Sequence, residues 1–392
     1  MRVVYVCADP GVPVFGSKGS SVHVQSILRA FLRLGARVDL LATRAGGRRP
    51  SGLEDVRLHR LPSVLPGAPE RRERAAQAAN GAVDAILTGL GPFDLLYERC
   101  SLWSHAALEH AWHAGISSVL EVNAPLIDDQ AARRVLVDRE GAEAIAERQA
   151  ASATILAAVS EPLAGYLRAR HPTAAGRVHV VPNGVDPERF SPHLLERRTA
   201  LGRPFTAGFL GALKPWQGLP VLVEAFESLR LHHPDARLLV VGDGPERKRL
   251  EDDLAAVGLR GAATLTGAVP PDRVPALLAS MDTSLAPYPA TAPFYLSPLK
   301  VLESMAAGVP VVAARVGQIE SLIRDRRTGV LVPPGDADRV AAALVELALR
   351  PVWRQHLGQA ARRSVLAQHT WDQVLGRVLE AVDLTASSAP RR

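Results

Sequence analysis

Short, unbroken apolar runs alternate with amphipathic stretches along almost the whole chain, and this alternation restricts the fold more than anything else in it. Residues 3–7, Val-Val-Tyr-Val-Cys, offer no polar position to water, which predicts a strand buried on both faces. Val24, Ile27, Leu28 and Phe31 then recur at the spacing of one helical face, and Gly35 closes that helix. Further strands are predicted at 37–42, 95–97, 118–122, 154–159 and 178–181. The rhythm restarts after Pro192, with strands at 207–210, 237–241, 263–265, 283–286 and 309–313. Strands separated by helices pair in parallel, and parallel sheets need helices on both faces. The expected fold class is therefore α/β, with two Rossmann-like, doubly wound parallel-sheet domains facing an interdomain cleft. Turn formers at Pro182-Asn183-Gly184-Val185-Asp186 put the switch between them at 186–203. The expected domains are 1–186 and 187–370. Beyond them lies a segment 371–392, whose helix packs back on the first domain and whose polar tail 385–392 frays.

With 47% apolar and 22% charged residues in 392, the chain has material for two cores. Its two cysteines, Cys7 and Cys100, exclude a disulfide framework or a clustered thiolate site, and Cys7 reads as a buried thiol. The first apolar run is too short for a signal segment, and no window approaches the roughly 18 apolar residues of a spanning helix. A cytoplasmic protein is expected. The net charge of +6 is largely arginine. Arg71, Arg72 and Arg74 lead into a helical stretch to Leu90, and Arg133 and Arg134 open a second, so peripheral contact with the anionic inner face of a membrane is expected. Aromatic residues are only 5%, and no nucleic-acid motif is present, which argues against a nucleic-acid partner. No signature of an oligomeric state is visible.

Four loops stand where predicted strands end. The first, 9–23, contains Gly16, Gly19, Ser20 and Ser21 and opens a helix, whose N-terminus favours anions. It matches neither a Walker loop nor a dinucleotide fingerprint. The second begins at Gly211, and its Lys214 is placed to meet a diphosphate. The third, Gly242-Asp243-Gly244-Pro245-Glu246, makes a sharp turn into a helix. The fourth, Tyr295-Leu296-Ser297-Pro298-Leu299-Lys300-Val301-Leu302-Glu303, reads as Ser297 capping a helix that starts at Pro298. Lys300 and Glu303 would share one face of its first turns, and a lysine there makes sense beside an anion.

In their order and spacing these stretches resemble the family 4 retaining glycosyltransferases, of GT-B fold, over nearly the full length. The resemblance rests on the Gly16–His23 loop, Val159-Ser160, Val181-Pro-Asn-Gly-Val-Asp186 with Phe190, and Val241-Gly-Asp-Gly-Pro245. It continues through Leu265-Thr-Gly267 with Val269-Pro270, the 297–303 helix and Ala306-Ala-Gly-Val-Pro-Val-Val312. It implies a second domain that binds a nucleotide sugar, UDP- or GDP-linked with UDP preferred, as co-substrate, and a first domain that binds a hydroxyl-bearing acceptor: a surface glycan, a glycolipid or a secondary metabolite. On the donor side the implied residues are Gly16, Gly19, Gly211, Gly242, Gly267, Val269, Tyr295, Ser297, Leu299 and Glu303, with Glu303 on the ribose. Lys214, Lys300 and Asn123 are the candidate catalytic residues, and His23, Arg99 and Asn123 lie on the acceptor side. Three positions depart from the family pattern: Tyr295 replaces its first acidic residue, Ala212 and Gln217 replace its usual diphosphate clamp, and Asn123 falls where many members carry histidine. Lys214 and Lys300 are read as the replacement clamp. No Asp-x-Asp pattern stands at a suitable loop, so neither metal nor resident cofactor is expected. The alternatives are a sugar-nucleotide epimerase or hydrolase of the same fold, and a non-catalytic nucleotide-sugar sensor.

Overall fold

The computed structural model describes residues 1–191, 203–290 and 294–388. The chain forms two compact units. One is Met1–Asn183 with Tyr295–Ser297 and the chain from Trp371 on; the other is Gly184–Phe294 with Pro298–Thr370. Within the expected switch 186–203, residues 192–202 lie outside the described residues.

The first unit runs β1 (Arg2–Cys7), α1 (Gly19–Arg33), β2 (Arg37–Ala42), β3 (Arg57–Arg60), α2 (Pro69–Leu90), β4 (Leu95–Arg99) and α3 (Ala106–His113). It continues with β5 (Ser117–Val122), α4 (Leu126–Arg133), α5 (Arg139–Ser152), β6 (Ile155–Ala158), α6 (Glu161–Arg170) and β7 (Val178–Val180). Among the described residues these strands form one parallel seven-stranded sheet, ordered β3-β2-β1-β4-β5-β6-β7. The order reverses between β1 and β4, where Val3 registers with Leu95 and Val6 with Glu98. Both faces are covered, as continuous apolar strands require. On one face Val4, Val6, Leu96 and Leu120 enter a core with Leu108 of α3 and Leu163 of α6. On the other, Tyr5 stacks on Tyr97 at 5.2 Å and Phe31 meets Tyr97 edge-on.

The second unit runs β8 (Thr206–Leu210), α7 (Leu219–His232), β9 (Arg237–Val241), α8 (Arg247–Ala256), β10 (Ala263–Leu265), α9 (Val274–Ala279) and β11 (Thr283–Ala286). Then come α10 (Leu299–Ala306), β12 (Val311–Ala314), α11 (Ile319–Leu322), β13 (Val330–Val332), α12 (Ala337–Leu349) and α13 (Pro351–Gln368). Its six described strands are ordered β10-β9-β8-β11-β12-β13, again parallel, with the reversal between β8 and β11. Phe209, Phe226 and Leu344 are fully buried in its core, each worth roughly 1.5–3 kcal/mol of transfer free energy. The last helix, α14 (Trp371–Ser388), belongs to the first unit and packs on α1, β5 and β6.

Several local expectations are corrected. β3 and β13 were not anticipated: β3 is an edge strand of sequence Arg-Leu-His-Arg, with no apolar run to betray it. β13 is three residues long and stops at Pro333. Pro310 has no N–H to donate, and the neighbouring strand begins at Val311 rather than Val309. Arg133 and Arg134 close α4 instead of opening a helix; the next one starts at Arg139, where the Asp138 carboxylate accepts the Gly141 N–H. Residues 385–388 continue α14 rather than fraying, and 389–392 lie outside the described residues.

Candidate active site

In a doubly wound sheet, ligands bind beyond the carboxyl ends of the strands at the point where strand order reverses. In the second unit that point lies past β8 and β11, and the chain leaves β8 and its neighbour β9 through glycine. Gly211 leaves β8 and Gly242 leaves β9, both at φ +140°. A Cβ on Gly242 would sit 2.0 Å from the Gly211 carbonyl oxygen, so only glycine fits. The Gly242 N–H donates to the Gly267 carbonyl at 3.1 Å, bringing the β10 loop into the same row.

Lys300 stands over Gly211. It is 9% exposed, and its Nζ lies 4.2 Å from the Phe209 ring centre and 4.6 Å from that of Tyr288. Nζ donates to Gln217 Oε1 at 2.5 Å, and a Cβ on Gly211 would meet it at 3.9 Å. Burial pushes the amine down to about 7. Among the described residues no carboxylate pairs with it. This corrects two expectations. Lys300 does not face Glu303; it points into the aromatic pair because α10 is buried on most sides, Val301, Leu302, Met305 and Ala306 included. Nor does Ser297 cap the helix: α10 starts at Leu299 after Pro298, and the Ser297 hydroxyl accepts the Asn183 N–H at 3.1 Å.

The other donor-side candidates divide. Lys214 is half-buried just before the tight turn Pro215–Gln217, its Nζ 6.0 Å from the Trp216 ring centre. Glu303 is half-buried, and burial raises its carboxyl above the ordinary value against the pull of Arg189. Val269 is half-buried against the second unit's core, and Leu299 is half-buried at the start of α10. Tyr295 and Ser297 belong to the first unit. There the Tyr295 carbonyl accepts the Ser160 hydroxyl at 2.6 Å, and its ring lies 5.8 Å from that of Tyr166.

Gly16 and Gly19 are held differently. The Gly16 loop is tied down: Phe15 N–H donates to the Ala45 carbonyl at 2.6 Å, and Gln25 Nε2 donates to the Val14 and Gly16 carbonyls. Gly19 opens α1 behind Lys18, with no side-chain cap, and nothing lies within 4 Å of where its Cβ would be. The hydroxyl of Ser21, fully buried, has no partner among the described residues.

In the first unit the acceptor-side candidates converge on a residue to which the sequence reading gave no role. Glu121, 3% exposed near the end of β5, accepts from His23 Nε2 at 2.9 Å and Tyr97 Oη at 2.7 Å through one oxygen. Its other oxygen accepts from Arg99 at 2.9 Å and Asn123 Nδ2 at 2.5 Å. Burial alone would raise this carboxyl, but His23, Arg99 and Tyr97 overcome it and hold it well below the usual range. His23 also packs edge-on to Trp371 at 4.9 Å. It is therefore a buried member of the network, whereas Arg99 and Asn123 lie at strand ends and remain partly exposed. The available signal was a carboxylate inside the apolar run Ser-Ser-Val-Leu-Glu-Val, since such groups are almost never buried without partners. Among the described residues no group of three or more His, Cys, Asp or Glu could hold a metal ion.

Residues 17–189 match the family model described as Glycosyltransferase Family 4, and residues 204–349 match Glycosyl transferases group 1. The chain is 30% identical over 290 residues to a GDP-mannose-dependent alpha-(1-6)-phosphatidylinositol monomannoside mannosyltransferase of Mycobacterium tuberculosis, covering 70% of this chain and 75% of that protein. The enzyme of that name from Mycolicibacterium smegmatis is 28% identical over 339 residues, covering 81% and 88%. Among solved structures, sucrose-phosphate synthase from Thermosynechococcus elongatus aligns with a TM-score of 0.76 at 22% identity, over 99% of this chain and 100% of that one.

Proposed function

This chain belongs to glycosyltransferase family 4 and transfers a glycosyl group from a nucleotide-sugar donor, and we propose that its second unit holds the donor at the β8–β11 reversal while its first unit holds a hydroxyl-bearing acceptor. The observation that carries this reading is the Lys300 amine, fixed over the side-chain-free backbone of Gly211 with no carboxylate among the described residues to neutralise it. A leaving nucleoside diphosphate gains charge as the C1–O bond to its β-phosphate breaks. A preorganised cation stabilises that charge more in the transition state than in the ground state. Lys214 supplies a second cation. Glu303 accepts from the ribose hydroxyls, and the backbone of Gly267 and Val269 meets the base.

In this mechanism the acceptor oxygen bonds to C1 on the face the leaving group vacates, its proton passes to the departing phosphate, and the configuration is retained. Protein cations carry the charge, so no metal is required. On the acceptor side Arg99 and Asn123 reach the substrate, while His23 acts through Glu121, to which its Nε2 is committed. The donor is a GDP- or UDP-sugar, and the GDP-mannose dependence of the mycobacterial relatives favours the former. A lipid-linked acceptor agrees with the exposed Arg71, Arg72 and Arg74 of α2. Their neighbour Glu73 accepts the N–H groups of Val137 and Asp138, in a segment where Val135 and Val137 are 60% and 46% exposed. We propose this face as a peripheral membrane contact; the side chain of Arg133 lies outside the described residues.

A thermal-shift screen of nucleotide sugars tests the donor site, since a ligand present at about 100 times its Kd stabilises by roughly 2.7 kcal/mol. Lys300→Met should lower kcat by about 10²–10³, as loss of one preorganised donor does elsewhere. Unchanged turnover in both Lys300→Met and Lys214→Ala would refute the clamp.

A further inference from the structure

We propose that Gln217 is a positioning residue for Lys300, its side-chain carbonyl holding the amine over Gly211 where the donor diphosphate arrives. This rests on the donor site argued above and adds a part for a neutral residue within it.

A lysine amine has three N–H donors on a flexible stem and needs directional contacts to hold one position. Here one donor goes to Gln217 Oε1 at 2.5 Å, and the Phe209 and Tyr288 rings flank the nitrogen at 4.2 and 4.6 Å. The acceptor is itself braced. Gln217 N–H donates to the Lys214 carbonyl at 3.0 Å, and Gly218 follows at φ +73°, its Cα so close to the Pro287 carbonyl that a Cβ would lie 1.7 Å from that oxygen. A carboxylate at this position would also orient the amine, but it would cancel the charge and compete with phosphate. An amide oxygen orients it and leaves the charge for an incoming anion. Among the described residues the elements around the amine bring no carboxylate to it: β8 contributes Phe209, the segment after β11 contributes Tyr288, and the turn contributes Gln217, with the cation Lys214 before its proline. On α10 itself, Glu303 answers to Arg189.

The geometry makes a reciprocal prediction. The two side chains meet end to end, so exchanging them leaves an ammonium at the same point, now carried from the turn. The test measures binding of UDP and GDP by calorimetry at pH 7 to the full chain and to Lys300→Gln, Gln217→Leu, Gln217→Glu and the exchange variant K300Q/Q217K, with folding checked by melting temperature. Lys300→Gln should lose about 100-fold in affinity and Gln217→Leu about tenfold, of the order of one charge-assisted hydrogen bond each. Gln217→Glu should lose more than Gln217→Leu, and the exchange should recover at least about tenfold over Lys300→Gln. In turnover, Gln217→Leu should raise the donor KM and leave the acceptor KM unchanged. An exchange variant no better than Lys300→Gln, or a Gln217→Glu variant that binds like the parent, would overturn this assignment alone. Failure of the unaltered chain to bind either nucleotide would overturn the donor site as well.

Discussion

Glu98 lies on β4 beside the reversal of the first sheet and is fully buried. Burial pushes it from 4.5 to about 7, with the Ser104 side chain pulling the other way. The folded chain therefore holds a proton on this group that the unfolded chain has released between those two values. Stability falls wherever the folded state binds more protons, so the first unit should be most stable below about pH 4.5 with respect to this group. It should lose stability as pH rises to about 7 and change little beyond. A difference of about 2.5 pKa units at 1.36 kcal/mol each gives a loss of about 3 kcal/mol. Glu98→Gln is nearly isosteric and cannot ionise, so it removes this slope, and its amide can donate to the Ser104 hydroxyl beside it. The variant should match the parent at pH 5 to within about 1 kcal/mol and exceed it by about 3 kcal/mol at pH 8. Native-state hydrogen exchange of the β4 and β5 amides reads this unit separately from the other. Equal protection differences at pH 5 and pH 8 would refute the reasoning, because a packing effect does not titrate.

Glu121→Gln removes the carboxylate that four side chains share and strands Arg99 in a nearly buried place, so a loss of about 3–5 kcal/mol is expected in denaturant unfolding. Gly242→Ala forces a Cβ onto the Gly211 carbonyl at a φ few other residues adopt; it should cost about 1–3 kcal/mol and abolish nucleotide binding by calorimetry. Replacing Arg71, Arg72 and Arg74 by Gln should weaken sedimentation with anionic vesicles by roughly 100-fold at about 1 kcal/mol per charge, and leave turnover of a water-soluble acceptor unchanged. Chelator should leave the rate unaltered, and a rate restored only by added divalent ion would count against the protein-cation mechanism.

The two sheets were legible because parallel strands buried on both faces must be largely apolar, and β1, β6 and β9 announce themselves in that way. β3 escaped because an edge strand with basic residues at both ends and one leucine has no such requirement. The glycine row could be read as loop chemistry, since a strand end followed by Gly has few other uses. What could not be read was the direction of each polar side chain. The spacing of Lys300 and Glu303 suggests a shared face, yet the buried surroundings of α10 turn the lysine toward Phe209 and Tyr288, residues far from it in sequence. Glu121 was passed over for a related reason. A one-dimensional pattern shows a charged residue in a strand but not the four donors, from α1, β4 and the loop after β5, that make its burial tolerable.

The first unit is assembled from three separated stretches of chain, and this orders the events of biosynthesis. Trp371, against which His23 rests, and Val374, Leu375 and Val378 of α14, all buried, leave the ribosome only after every residue of the second unit. Until then the ground that α14 covers on α1, β5 and β6 has no cover from this helix. A chain truncated at Asn183 would keep that state permanently. The amino-terminal half is thus the first to be translated and the last to be finished.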